Sequence, residues 1–405
     1  MTLDLIQTVA FAGAALFLGY AVKKRIPVLA RYNIPAPVVG GLPVAVLLSV
    51  LYAPDRTLLS FDTGLQVPLQ NAFFASVGFG ASLRVLKRGG PLVLVMMVIA
   101  SIAAALQNVL GAAVAWGLGE HPLLGVLAGS VTLTGGPATG LAFAPLFEKA
   151  GVAGAATLGV SAAMVGIVSG GLLGGPIGTY LLGRHAVRLP TSPSGTLEAL
   201  AERQMDEPLA AVPAGEDVEA YSLLKHLVVL LVAVGAGAWV SAGFASIGWT
   251  LPAYIGAMIV AAVIRNVDDV AGAIGISQAT IDDLGTVALS LFLVMALMTL
   301  RLWQLAGAVV PLLVILTAQV AFVAALCLWV VPRVMGKDYD AVVMSSGFCG
   351  FMLGTTANAV ANMGALVERY GPAPKAYLVV PLVGAFGIDF VNAILITVAL
   401  NVWAT

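Results

Sequence analysis

Charge is scarce in this 405-residue chain: nineteen Lys and Arg stand against twenty Asp and Glu, only 10% of residues are charged, and the formal net charge is −1. So thin and balanced a set offers no basic patch, and nucleic acid is excluded as a partner. Cysteine is nearly absent. Cys327 and Cys349 lie in or beside apolar segments without metal-ligand spacing or a second pair, so neither a disulfide framework nor a zinc site is expected. The three histidines, His121, His185 and His226, fall at segment ends or in a polar stretch and read as solvated residues without a role. A Walker sequence, a nucleophile elbow, HExxH and CxxC are all missing. ATP hydrolysis and the commoner enzymatic chemistries therefore lack their groups, and no enzyme activity or cofactor is expected.

What is present is apolar surface. Hydrophobic residues make up 60% of the chain and the mean hydropathy is +1.02, more than the interior of a water-soluble globule can hold, so the partner of most of this surface is the lipid bilayer. The N-terminus has Asp4 before its apolar stretch and Lys23-Lys24-Arg25 after it, the reverse of a secretory signal, and reads as a retained first transmembrane helix. A spanning helix needs about 20 mostly apolar residues. On that criterion spans are expected near 5–22, 35–53, 67–83, 89–117 and 153–183, then near 223–247, 249–264, 284–300, 304–331 and 376–402. Between the halves, 184–222 is rich in Pro, Ser and Glu and reads as a solvated linker, helical in part at TLEALAERQ.

Two apolar stretches, 122–149 and 339–370, are broken in the middle by TLTGGPATG and GFCGFMLGTTANAVAN. Each arm has about 10 to 12 residues, roughly 15 to 18 Å at helical rise, which is half a bilayer. The expected solution is a re-entrant hairpin whose unwound tip lines a polar cavity. If both stretches re-enter and the other ten segments cross, only Arg56, Lys149 and Arg301 lie on one side and the remaining sixteen of the nineteen basic residues on the other. The positive-inside rule then puts both termini outside and the linker in the cytoplasm.

An internal repeat carries the same organisation. TGGPATGLAFAPLFEKAG (134–151) lies over GTTANAVANMGALVERYG (354–371) without a gap, at an offset of 220 residues. Ser82-Leu83-Arg84 pairs with Thr299-Leu300-Arg301, and Pro35-Ala36 with Pro252-Ala253, at an offset of 217. Five spans per half is an odd number, so the second copy is inverted. The expected fold is all-α and polytopic: an N-terminal repeat over 1–183, the linker over 184–222 and an inverted C-terminal repeat over 223–405, each repeat holding five transmembrane helices and one re-entrant helical hairpin. Inverted repeats with matching broken helices point to a secondary transporter powered by an ion gradient.

Half-helix N-termini offer free backbone N–H groups and a positive dipole end to an anionic or zwitterionic substrate. Candidate substrate-binding residues are Thr132, Thr134, Gly135, Gly136 and Thr139 at the first tip, and Gly354, Thr355, Thr356, Asn358 and Asn362 at the second. Small and hydroxylated residues also serve ordinary helix packing in membranes. Within the ten expected spans Asp389 is the one acid, and Asn392 shares its helical face. Both are candidates for holding or organising Na⁺, with Ser130 and Asn358 as further ligands. Gln70, Asn71, Gln107, Asn108 and Gln319 read as interhelical hydrogen-bonding groups rather than ligand contacts.

These residues resemble the bacterial sodium/glutamate symporters. The likeness runs over nearly the whole chain, through IPAPVVGGL (34–42), NAFFASVGFGASL (71–83), GVLAGSVTLTGG (125–136), LSLFLVMALM (289–298), LRLWQLA (300–306), MGKDYDAVV (335–343), ANAVANM (357–363) and VVPLVGAFGIDFVNAI (379–394). The resemblance implies Na⁺-driven uptake of L-glutamate through a bacterial inner membrane, a homodimer, and an elevator-like movement of a substrate-carrying domain against a scaffold. Departures from the family pattern fall at Pro137-Ala138, where the family has His-Gly, at Phe348, where it has His, and at Thr355-Thr356-Ala357-Asn358, where it tends to read Ala-Thr-Pro-Thr. A sodium- or proton-coupled carrier or exchanger of another organic anion, such as a dicarboxylate or amino acid, is the alternative.

Overall fold

Asp4 starts the first helix, α1 (Leu5–Arg25), through a capping box in which its carboxylate accepts from Gln7 N at 2.8 Å and Gln7 Oε1 accepts from Asp4 N at 3.1 Å. Lys23, Lys24 and Arg25 close it, where the negative end of the helix dipole favours cations. The computed structural model describes residues 2–51, 59–88, 90–184, 218–246, 252–305 and 307–403. Helices make up nearly all of it. After α1 come α2 (Pro27–Arg31), α3 (Ala36–Val50), α4 (Gln66–Phe79), α5 (Leu83–Arg88), α6 (Gly90–Gly117), α7 (Pro122–Val131), α8 (Gly136–Lys149) and α9 (Ala155–Arg184). The second half has α10 (Val218–Ser246), α11 (Ala253–Ala271), α12 (Gln278–Met298), α13 (Val309–Val334), α14 (Tyr339–Leu353), α15 (Thr356–Tyr370) and α16 (Pro374–Trp403). One parallel pair of two-residue strands, Thr2–Leu3 with Ser60–Phe61, is the exception.

Seven helices among the described residues are long and apolar enough to cross a membrane: α1, α6, α9, α12, α13, α16 and the Glu219–Phe244 part of α10. Large apolar side chains stand outward on them, with Phe17 73% and Trp239 81% exposed, which lipid tolerates and water does not. The chain is an all-α, multi-pass membrane protein. Each of the ten expected spans overlaps a helix over its described residues, and three of those helices, α3, α4 and α11, are not among the seven. Some start late or stop early relative to the sequence reading: α3 begins only after Pro35, α4 stops at Phe79 before a bend at Gly80–Ser82, and α13 begins at Val309. The expected helix at TLEALAERQ lies outside the described residues.

His226 departs from the sequence reading. It is a buried residue of α10, 1% exposed, whose Nε2 accepts from Ser277 N at 2.8 Å while Nδ1 lies 2.6 Å from Ser222 O. The ring ties α10 to the start of α12, a tertiary contact with no local sequence signal. His121 is exposed and caps α7, its Nδ1 accepting from Leu123 N at 3.2 Å; His185 lies outside the described residues.

The helices pack in two groups. One contains α1, α3, α4, α10, α11 and α12; the other contains α6 to α9 and α13 to α16. An aromatic contact joins them: Phe74 of α4 stacks on Tyr254 of α11 with centroids 4.2 Å apart, and the Phe143 ring of α8 meets Tyr254 edge-on at 5.5 Å.

Candidate functional site: two interrupted helices that meet at their tips

The segment 122–149 is a helix pair. Its first arm, α7, passes into a π turn over Leu127–Val131 and kinks at Gly129. The chain then turns through Thr132–Gly135 and re-enters helix at Gly136, whose φ of +69° is open to glycine and strained for other residues. Pro137 follows in the first turn of α8, where its missing N–H costs nothing. The tip is dry. Thr132 and Ser130 are fully buried and Thr134 is 5% exposed. Thr132 Oγ1 donates to Leu127 O at 2.7 Å, closing its own arm, and Gly135 N donates to Ser130 O at 3.0 Å. Thr139 stands over Gly135, on which an added Cβ would lie 2.6 Å from the threonine Cβ.

The segment 339–370 is built the same way. Asp338 caps α14 by accepting from Ala341 N at 2.9 Å, and Thr355 caps α15 by accepting from Asn358 N at 3.4 Å. Only Gly354 and Thr355 separate the two helices. Thr356 Oγ1 donates to Gly384 O at 2.7 Å, fixing this tip to the π turn Val383–Gly387 inside α16. Asn358 Nδ2 donates to Ile167 O at 2.6 Å, and Asn362 Nδ2 to Gly170 O at 3.0 Å. Both amides therefore clip α15 to the backbone of α9.

The two tips touch. A Cβ built on Gly136 would lie 3.7 Å from Gly354 O and 3.9 Å from Thr355 Cγ2. Gln107 of α6 bridges them: its Oε1 accepts from Thr134 Oγ1 at 2.7 Å and its Nε2 donates to Met352 O at 3.2 Å. Asn108 Oδ1 accepts from Ser130 Oγ at 2.7 Å, Asn392 Nδ2 donates to Ser130 O at 2.8 Å, and Gln319 Nε2 donates to Gln107 O at 2.6 Å. Two buried amide oxygens in this cluster, Asn392 Oδ1 and Gln319 Oε1, have no hydrogen-bond partner among the described residues. An unpartnered buried oxygen is costly, and a dehydrated cation would satisfy it. With Ser130, Asn108 and the tip carbonyls nearby, the donor set consists of neutral oxygens, which suits a hard monovalent ion.

Of the sodium candidates, Asn392 and Ser130 are hydrogen-bonded to each other. Asn358 belongs to the second tip. Asp389 lies one helical turn before Asn392, half-buried, and makes no hydrogen bond or ion pair among the described residues. Gln107, Asn108 and Gln319 do form interhelical bonds, as expected from sequence, yet they do so at the tips themselves; Asn71 does not, its buried Oδ1 having no hydrogen-bond partner among the described residues. Two consecutive amides in the middle of the 28-residue helix α6 were the signal for that position. The departures at Pro137, Ala138 and Phe348 are all buried, and Phe348 packs edge-on against Phe351 at 5.2 Å. They bring no polar group to the tips.

A cavity of about 570 Å³ opens beside α8, walled by Gln70, Leu141, Glu148, Thr157 and Arg301 among others. Leu141 and Phe292 belong to its wall and also to the buried apolar cluster containing Ala138.

Comparison with known proteins adds an independent finding. The family model described as sodium/glutamate symporter matches residues 1–372. The chain is 40% identical over 402 residues to the sodium/glutamate symporter of Haemophilus influenzae, covering 99% of this chain and 98% of that protein. It is 38% identical over 395 residues to the proteins of the same name from Escherichia coli and Shigella flexneri, covering 97% of this chain and 96% of each relative.

Proposed function

Because the chain belongs to the sodium/glutamate symporter family, we propose that it is a secondary active transporter that couples entry of Na⁺ to uptake of L-glutamate. The observation that carries this reading is the meeting of two helix tips at a cluster of buried amides with two unpartnered oxygens. The N-termini of α8 and α15 both begin at this junction, and two positive dipole ends beside one another suit the carboxylates of glutamate. Thr132, Thr134, Gly135, Gly136 and Thr139 face the substrate from the first tip, and Gly354, Thr355, Thr356, Asn358 and Asn362 from the second. Na⁺ sits by Asn392 and Ser130, with Asp389 one turn away supplying the charge that balances it.

Ten spans and two re-entrant hairpins, related as inverted repeats over 1–183 and 223–405, complete the proposal. Both termini are outside a bacterial inner membrane and the 184–222 linker is in the cytoplasm. The packing supports the repeat: the helices of the first three expected spans of each half form one group, and the last two with the hairpin form the other. The first group is then the scaffold and the second the moving elevator body of the homodimer implied by the family resemblance. The 570 Å³ cavity, with Arg301 at its wall, is the outer approach for an anion.

Purified protein in liposomes is expected to accumulate glutamate only under an inward Na⁺ gradient. By linkage, Na⁺ tightens glutamate binding by the same factor as glutamate tightens Na⁺ binding. Uptake that is unchanged when K⁺ replaces Na⁺ would sink the coupling, and a dicarboxylate that competes better than glutamate would move the substrate within the same scaffold.

A further inference from the structure

A groove of about 1040 Å³ lies apart from the tips, between α5, α11 and the Phe390 ring of α16. Its wall on α11 runs from Ile259 to Ala271, roughly 18 Å at helical rise, comparable to the thickness of one hydrocarbon leaflet, about 15 Å. Val263, Val267 and Leu83 line it while remaining more than half exposed. Asn266 holds the walls together: its Nδ2 donates to Ala81 O at 2.7 Å and its Oδ1 accepts from Leu83 N at 2.9 Å, so the bend between α4 and α5 is fixed onto α11.

Arg84, Lys87 and Asp269 also line the groove, and both cations are exposed. Asp269 is already neutralised by Arg265 Nε at 3.1 Å and accepts from Ser82 Oγ at 2.5 Å. Arg84 and Lys87 make no ion pair among the described residues. An apolar slot about as long as one leaflet, lined as well by two cations without an ion pair among the described residues, is complementary to an anionic phospholipid. A soluble anion would leave the slot unused, and a zwitterionic lipid would leave the cations unmatched.

We propose that this groove binds one anionic phospholipid, its acyl chains along α11 and Leu83, its phosphate held by Arg84 and Lys87. Phe390 belongs to the second helix group and α11 to the first, so the lipid touches both and favours the arrangement in which they enclose it. Assignment to the cytoplasmic leaflet rests on the orientation proposed above; the binding does not.

Native mass spectrometry of the detergent-purified protein, with phosphatidylglycerol and phosphatidylcholine added in equal amounts, tests it without involving transport or orientation, so failure here leaves the symport reading standing. One phosphatidylglycerol per chain is expected to be retained, at least tenfold in preference to phosphatidylcholine. The Arg84→Gln/Lys87→Gln variant loses the preference, and Val263→Trp, which fills the slot and spares both cations, loses the retained lipid. Lys23→Gln/Lys24→Gln, at the end of α1, keeps wild-type retention. Equal retention of the two lipids, or wild-type retention in either groove variant, overturns the proposal. So does an equal loss in the α1 variant, which would make the preference one of diffuse surface charge.

Discussion

The two helix groups differ in what they bury. The six amide residues buried as a whole among the described residues, Gln107, Asn108, Gln319, Asn358, Asn362 and Asn392, belong to the group formed by α6 to α9 and α13 to α16; in the other group only single amide atoms of α4, Gln66 Nε2 and Asn71 Oδ1, are buried without a partner among the described residues. The group of α1, α3, α4, α10, α11 and α12 buries polar groups of another kind, which serve its own bends. Ser76 bonds back to Phe73 O at 2.7 Å, and the Asp268 carboxylate accepts from Ile274, Gly275 and Ile276 N between 2.7 and 3.2 Å to hold the turn after α11. Amides that link separate helices are expensive to bury and gain modest stability in a membrane. Six wholly buried amides in one group, against the half-buried Asn266 that pins α11 to the bend after α4 in the other, support the proposal that the first group carries the binding chemistry and the other is a frame.

The largest effect should come from the amide nearest the unpartnered oxygens. Asn392→Leu removes a buried acceptor and leaves Ser130 O one donor short, a loss of about 1–3 kcal/mol of interaction. In Na⁺-driven glutamate uptake, the Na⁺ concentration for half-maximal rate is expected to rise roughly tenfold to a hundredfold, while Asn392→Asp, which keeps an oxygen there, is affected less. Equal Na⁺ dependence in wild type and Asn392→Leu would remove this amide from the ion site and break the contrast between the groups.

The amide clips allow a sharper test on the carrying group alone. Asn362 fits against α9 because Gly174 has no side chain; a Cβ there would overlap the amide nitrogen. Gly174→Ala should therefore cost about 1–3 kcal/mol through overpacking, read as a lower thermal unfolding midpoint and reduced uptake. Asn362→Ala in the same chain should recover much of the midpoint but not the uptake. Recovery of both would make Asn362 packing material, and recovery of neither would place the strain elsewhere.

Much of this was legible in the sequence, for definite reasons. The two helix pairs were visible because Gly, Thr and Asn interrupt apolar runs at 132–140 and 347–362, leaving arms shorter than a spanning helix needs. The tip-to-tip contact through Gln107 was not legible, since the bridge joins residues 245 positions apart and nothing local in α6 names its partner. Asp389 drew attention as a charge in an apolar helix, but helical periodicity places it on the face of Asn392 without saying which of the two reaches Ser130. His226 was misread because a polar residue near a span end has the same local context whether it faces water or, as here, the turn before α12.

The smallest effect tests the frame. Tyr254 is 1% exposed, packed between Phe74 and Phe143, and its hydroxyl has no hydrogen-bond partner among the described residues. Removing an unsatisfied buried hydroxyl while keeping the ring is expected to be neutral or stabilising by about 1 kcal/mol. Tyr254→Phe should leave Na⁺-driven uptake unchanged and hold or raise the unfolding midpoint. A several-fold loss of uptake with an unchanged midpoint would mean that the hydroxyl finds a partner in another arrangement of the two groups. The frame would then contribute a polar contact to the transport cycle, and the division of labour drawn from the buried amides would no longer be complete.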